Sequence, residues 1–395
     1  MTRLKQYLGL ERNILVMLGA IVAVGMGEEL WSRFIPKYLE LLGAGTWIIA
    51  SYGTLKDLLD ACYQYPGGWL ADHLGRSKAL VVFILLAIIG YGIYIFSESW
   101  SWVLAGTVFV MAWSSLSSPA VFAIIGDSLP RDRRSMGFGV QSIIKRIPII
   151  IAPGLGGMLV VAFGFSYGLR VGLIITLALA IGAIVLVGKF YRENESPVRD
   201  RSGFKTIWRE MDSHLKQLLL ADCMVRWAEG IPKVFIVLYA LDVLKISPVG
   251  FGWLTSLQMV ASILVYIPVA RVSDRLNRKP FVLLTFAFFA LFPLALAQAV
   301  NPGLIALAFV IAGLREIGEP ARKALIVDLA SDSSRGRAVG AYYLVRGLAV
   351  FPASIVGGWL WSMDSQLPLY AAFGIGAAGC ATYAFIGSDR RAAAA

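Results

Sequence analysis

Four stretches of this chain leave little choice of solvent. Val81–Phe96, Leu173–Val187, Phe281–Ala297 and Leu367–Ile386 carry no charged residue, and each is about as long as a helix needs to cross a bilayer. Across all 395 residues, 58% are hydrophobic and 15% charged. A soluble domain is typically about a quarter charged. Backbone groups in lipid must find hydrogen-bond partners inside their own segment, and the apolar blocks lack the period-two alternation of barrel strands. The expectation is an all-α integral membrane protein with twelve transmembrane helices. The crossings fall near 13–41, 46–71, 78–96, 100–126, 136–163 and 167–190, then 217–244, 248–272, 280–298, 302–328, 336–362 and 367–387.

The second half repeats the first. Residues 119–157 (PAVFAIIGDSLPRDRRSMGFGVQSIIKRIPIIIAPGLGG) align without a gap on 320–358 (PARKALIVDLASDSSRGRAVGAYYLVRGLAVFPASIVGG). A constant offset of 201 residues pairs Asp127 with Asp328, Arg134 with Arg335, Lys145 with Arg346, and Gly156-Gly157 with Gly357-Gly358. Duplicated halves in a membrane protein usually enclose a path that opens to either side. The expected organisation is a six-helix bundle over 1–190, a polar linker over 191–216 and a second six-helix bundle over 217–395. After Ser202 the linker reads as an amphipathic helix on the membrane surface.

A net charge of +11 raises the question of a nucleic-acid partner, and its distribution answers it. Most of the 36 Lys and Arg lie at the termini and in the loops after even-numbered crossings, whereas the opposite loops hold only Lys245, with Arg170 just inside crossing 6. By the positive-inside rule both termini are cytoplasmic, in the plasma membrane (the inner membrane of a bacterium). The basic excess then serves topology and anionic lipid, and no nucleic acid is expected. Cys62, Cys223 and Cys380 have no disulfide or metal spacing, and His73 and His214 are too few for a metal cluster, so no metal or cofactor is expected. The oligomeric expectation is a monomer.

Between crossings 2 and 3 stands Gly68-Trp-Leu-Ala-Asp72-His-Leu-Gly75-Arg76-Ser-Lys78, echoed between crossings 8 and 9 by Ala270-Arg-Val-Ser-Asp274-Arg-Leu-Asn277-Arg278-Lys279. Gly75 suits a left-handed turn. This loop, its echo, the twelve crossings and the central linker resemble the major facilitator superfamily of secondary transporters. The resemblance implies that the loop latches the two halves, its arginine pairing with the acid that ends crossing 4. Here that means Arg76 with Asp127 and Arg278 with Asp328. The second loop lacks both glycines of the pattern. Crossing 5 holds Ala152-Pro153-Gly154-Leu155-Gly156-Gly157, which resembles the G-P-x-x-G-G core of proton-coupled antiporters. Ordinary small-residue packing is an equally good reading of Pro153, Gly156 and Gly157. Crossing 10 holds Arg315-Glu316-Ile317-Gly318-Glu319, which loosely resembles the arginine motif that such antiporters carry on crossing 4.

A charge near the bilayer centre costs at least about 2.5–3.5 kcal/mol, which makes it a functional candidate. Counting inward from the cytoplasmic ends puts Glu28, Glu29, Lys56, Asp57, Asp60, Lys145, Arg146, Arg226, Glu229, Arg315, Glu316, Glu319 and Arg346 at mid-depth. In crossing 4, Trp113 and Ser114 begin a hydroxyl-rich stretch that reads as a wall for an organic solute. Together these form the candidate substrate and proton cavity. Near-balance of the two signs predicts paired groups around a wet cavity, although ion pairs that only join helices remain an alternative for any one residue.

No G-x-x-x-x-G-K-[ST] motif for ATP is present, and no nucleophile–base arrangement of an enzyme. The leading expectation is proton-coupled export of a small amphipathic or anionic organic molecule. The alternatives are uptake of an organic anion or metabolite by symport or facilitated diffusion, and a non-transporting sensor or scaffold.

Overall fold

The computed structural model describes residues 12–118, 120–121, 124, 141–192, 212–273, 277–329 and 335–387. Among these residues the helices group into twelve stretches. The first repeat has α1 (Arg12–Leu41), α2 (Thr46–Leu74), α3 (Arg76–Ile95), α4 (Trp100–Leu116), α5 (Gln141–Phe163) and α6 (Phe165–Phe190). The second has α7 (Ser213–Gly230, resumed at Ile236–Leu238), α8 (Pro248–Ser273), α9 (Lys279–Ala297), α10 (Pro302–Leu314, resumed at Glu319–Leu329), α11 (Arg335–Val350, resumed at Ala353–Met363) and α12 (Leu367–Ile386). Eight described helices are long and apolar enough to cross a membrane unaided. Neither α2, α4, α7 nor α10 is among them, and these four are charged or interrupted.

Several crossings expected as continuous helices are broken, each for a local reason. Gly230 ends the first part of α7, and Pro232, which has no N–H to donate, opens the turn that follows. The turn Arg315–Gly318 splits α10 just before Pro320, and Phe351-Pro352 splits α11. A break in lipid needs new partners for the freed backbone groups. In α10 the Gly318 N–H donates to Thr285 Oγ1 of α9 at 2.6 Å. In α4, Ala112–Leu116 forms a π turn. Two tight connections rest on glycines at positive φ: Gly75 (φ 86°) between α2 and α3, and Gly164 (φ 80°) between α5 and α6.

The chain divides into two compact units. One comprises residues 1–45, 58–199 and 246–256, the other 46–57, 200–245 and 257–395. The exchanged segments, from the starts of α2 and α8, are themselves related by the repeat offset. Within the first unit α1 packs on α5 and α6, and α3 on α4 and α6. Within the second, α7 packs on α11 and α12, and α9 on α10 and α12.

The duplicated glycines mark where these packings are tightest. A Cβ at Gly156 of α5 would strike the Leu30 carbonyl of α1, and one at Gly357 of α11 would strike the Ile231 carbonyl after α7. Leu30 and Ile231 are themselves mates under the same offset. Gly157 lies against the Pro248 carbonyl and Gly358 against Ala50, again corresponding helix starts. Small residues let backbones touch where lipid offers no hydrophobic drive to association.

Candidate functional site

The second unit contains a buried ionic network built from the broken helices. Asp222, Arg226 and Glu229 sit at i, i+4 and i+7 on α7, so they share one stripe. Arg315 and Glu316 occupy the turn in α10, and Glu319, Arg322 and Lys323 follow on its resumed half. Tyr342 and Arg346 are i,i+4 neighbours on α11. α9 contributes the Phe289 and Phe292 rings.

Asp222, 1% exposed, is the anionic hub. Its Oδ2 accepts from Arg322 at 2.5 Å, from the Tyr342 hydroxyl at 2.8 Å and from Arg346 at 3.3 Å. Arg322, equally buried, also grips Glu319 with two bonds, Nε at 3.0 Å and Nη2 at 2.7 Å. The two-point fork suits a carboxylate and makes these the strong bonds of the set. Arg226 donates to Glu229 at 2.8 Å and reaches Glu319 at 3.5 Å. Arg315 spends Nε on the Ala312 carbonyl at 2.8 Å and lies 3.7 Å from Glu229. Lys323 approaches Glu319 at 3.7 Å from the exposed side. The guanidiniums of Arg226 and Arg315 both lie over Phe289, at 4.8 and 4.9 Å, and Arg346 lies over Tyr343 at 4.6 Å. An arginine over an aromatic face keeps attraction while shedding water.

The structure thus joins Arg226, Glu229, Arg315, Glu319 and Arg346 of the expected residues, with Glu316 half-buried in the same turn. Glu28, the repeat mate of Glu229, accepts from the Tyr91 hydroxyl of α3 at 2.7 Å. Nearby, Trp31 Nε1 donates to Thr176 at 2.9 Å, and Tyr94 bonds Thr107 at 2.8 Å. Glu29 accepts from Arg33 one turn on, at 2.8 Å. Asp57 pairs with Lys233 at 2.6 Å. Asp60 accepts from Ser115 at 2.7 Å, so one hydroxyl of α4 is committed to an acid. Trp113 is buried and Ser114 exposed. Lys145 is exposed at a turn within α5, and Arg146 is half-buried beside it.

In the expected latch, Arg76 and Arg278 are buried at 7% and 5%, at the starts of α3 and α9. Gly68 and Asp72 lie near the end of α2 and Gly75 is the turn after it. Asp127 and Asp274 fall outside the described residues, as do the side chains of Asp72 and Asp328. Pro153 of α5 sits within the helix, its carbonyl close to Gly252, while Gly156 and Gly157 make the backbone contacts given above.

Sequence reasoning missed Asp222, Tyr342 and the two phenylalanines. A signal for Asp222 existed: it is one turn before Arg226 on an otherwise apolar stripe. Its place near the expected start of crossing 7 hid it: the helix begins at Ser213, four residues before the expected 217, which puts Asp222 deeper. Nothing in the sequence distinguishes Phe289 from the other phenylalanines of crossing 9.

This arrangement is a polar, charged site that includes helices of membrane-spanning type. The sequence profile of the Major Facilitator Superfamily matches residues 17–222 and 218–394. An uncharacterized MFS-type transporter of Methanocaldococcus jannaschii is 21% identical over 366 residues, 91% of this chain and 90% of that one. The multidrug resistance protein MdtH of Edwardsiella ictaluri is 23% identical over 369 residues, covering 92% and 88%. Among solved structures, a POT family transporter in complex with a thioalcohol-conjugated peptide superposes with a TM-score of 0.78 at 14% identity, covering 95% of each chain. The repeat, the helical order and these matches agree: the chain is a multi-pass membrane transporter, not an enzyme, and belongs to the Major Facilitator Superfamily.

Proposed function

We propose that this protein is a proton-coupled secondary transporter that exports a small organic solute by alternating access. The halves would be 1–190 and 217–395, joined by the linker 191–216, with both termini in the cytoplasm of a bacterial-type inner membrane. The observation that carries the reading is the network of Asp222, Arg226, Glu229, Arg315, Glu319, Arg322 and Arg346 within lipid-spanning helices. A purely structural joint would be at least as stable if packed with apolar groups of the same volume. Charges held at this cost are the usual mark of a substrate or ion path. Similarity to MdtH, which is named a multidrug resistance protein, supports export over uptake. In this reading an ion or substrate gradient supplies the energy, and Glu28, Glu29, Glu229 and Glu316 are the carboxylates at hand to carry the proton. The latch pairs Arg76–Asp127 and Arg278–Asp328 belong to the same reading, as states to be broken in each cycle.

The test is flux in liposomes reconstituted with purified protein and loaded with fluorescent organic dyes. An imposed pH gradient should drive dye movement and reverse it when the gradient is reversed. Dye flux insensitive to both signs of gradient would refute proton coupling.

A further inference from the structure

The ionic network is unevenly satisfied. Asp222 receives three donors and Glu319 a two-point grip. Two of the guanidiniums, by contrast, have donors to spare. Each carries five N–H groups. Arg226 makes one short bond, to Glu229; its Nη2 reaches Glu319 only at 3.5 Å, and its buried Nε, 3.7 Å from Asp222 Oδ1, makes no hydrogen bond. Arg315 donates to one backbone carbonyl and comes no nearer to Glu229 than 3.7 Å. Spare donors in a dry place are costly, and an acceptor that reaches them is correspondingly favoured.

The carboxylate between these two arginines is also the accessible one. The Glu229 side chain is 33% exposed, against 12% for Glu319 and 1% for Asp222. The wall beside them is apolar and aromatic: both guanidiniums lie over Phe289, and Arg315 also lies over Phe292 at 5.2 Å. The charge balance has the same sense. Arg226, Arg315, Arg322, Lys323 and Arg346 exceed Asp222, Glu229, Glu316 and Glu319 by one cation. Arg346, which the sequence pairs with Lys145, is engaged with Asp222 and Tyr343, so the free capacity lies on α7 and α10.

We propose that Arg226 and Arg315, with Phe289 and Phe292, bind the acidic head of a small organic monoanion, and that Glu229 is the internal carboxylate that holds this site until substrate replaces it. Exchange of one carboxylate for another keeps the charge-assisted bonds and adds a second point of contact on each arginine fork. The apolar body of the substrate packs on the two rings. A cation is excluded by the arginines, and a neutral amide brings no negative charge to offset theirs. The proposal names the substrate class of the transporter proposed above and rests on that reading.

The experiment uses the purified full-length protein and probes of matched shape: benzoate, benzenesulfonate and hexanoate as anions, benzamide as neutral and benzylammonium as cation. Binding is read by titration calorimetry and folding by thermal unfolding. At least one anion should bind, and neither benzamide nor benzylammonium should. Arg315→Gln should abolish anion binding, and Arg315→Lys should weaken it about tenfold by removing the fork. Glu229→Gln should tighten it about tenfold, or about 1.4 kcal/mol, because the internal competitor is gone. Absence of binding by all three anions, equal binding of anion and cation, or weaker anion binding in Glu229→Gln would overturn the proposal. If Arg315→Gln fails to fold, the Lys and Glu229 variants decide it. Proton-driven dye flux without anion binding would sink this inference and leave the transporter reading standing. Anion binding without proton-driven flux would do the reverse.

Discussion

Arg322 is the residue whose loss should be felt most. It is 1% exposed and serves two buried acids, Asp222 at 2.5 Å and Glu319 at 2.7 and 3.0 Å. Removing one partner of a buried ion pair typically costs about 3–5 kcal/mol, because the other charge stays behind in low dielectric. Here the loss is cushioned. Asp222 keeps the Tyr342 hydroxyl and Arg346, and Glu319 keeps Arg226 and Lys323. The lower end, about 3 kcal/mol, is therefore expected for Arg322→Met, whose chain fills most of the same space. For a unit of this size that is a fall of about 6–12 °C in unfolding temperature.

A double-mutant cycle sharpens the test. Asp222→Asn in the Arg322→Met background removes the stranded charge, keeps an acceptor for Tyr342 and leaves Arg346, 22% exposed, to water. The double variant should recover about 2 kcal/mol relative to the sum of the singles, within the range for residues in contact. Thermal unfolding in detergent followed by circular dichroism, with reversible titration in bicelles, measures both numbers. An Arg322→Met variant within about 1 kcal/mol of the parent, or a strictly additive double variant, would show that the network carries little energy.

Three further outcomes are expected. Gly156→Ala and Gly357→Ala each push a methyl into a backbone carbonyl and should cost about 1–3 kcal/mol in the same unfolding assay, whereas Gly374→Ala, with open space around it, should be neutral or mildly stabilising. Asp72→Asn should cripple dye flux at near-normal expression, with Asp274→Asn milder because its loop lacks the glycines; equal flux by the Asp72 variant and the parent would remove the latch from the mechanism. A cysteine at Ser247 should react with an impermeant thiol reagent from outside the cell and one at Ser196 only from the cytoplasm, and outside labelling of Ser196 would invert the orientation.

The helical architecture was legible because lipid permits so few alternatives. Apolar length and the 201-residue offset sufficed to place α3, α6, α9 and α12 within a few residues of their observed ends. The breaks were harder. Pro232, Pro320 and Pro352 are visible in the sequence, but whether a proline bends a helix or interrupts it depends on who receives the freed N–H groups. For Gly318 that partner is Thr285 on another helix, which no local pattern reveals. The same limit applies to the site. Sequence depth found Arg226, Glu229, Arg315, Glu319 and Arg346. It could not find the hub, because Asp222 owes its role to Arg322 and Tyr342, 100 and 120 residues away.

The two repeats diverge in a way that separates scaffold from chemistry. Where backbone touches backbone, the duplication is kept on both sides of the contact: Gly156 against Leu30, and Gly357 against Ile231. A side chain at either glycine has nowhere to go, so both copies are held to the same residue. Charge is under no such constraint. Arg315, Glu319 and Arg322 correspond by offset to Ser114, Ser118 and Val121, and Asp222 corresponds to Ile21. Besides Asp127 and Asp328, an acid is kept in both copies at Glu28 and Glu229, and their contacts differ: Glu28 accepts from a tyrosine hydroxyl, and Glu229 faces two arginines. A hydroxyl can stay bonded whether the acid is charged or neutral, whereas two guanidiniums favour an anion between them. Transplanting the difference tests it. Ser114→Arg should create in the first repeat a charge without an acid one turn on, because Ser118 stands there. It should lower stability, and adding Ser118→Glu should restore part of the loss by an i,i+4 pair. No recovery in the double variant would refute the pairing of the transplanted charges.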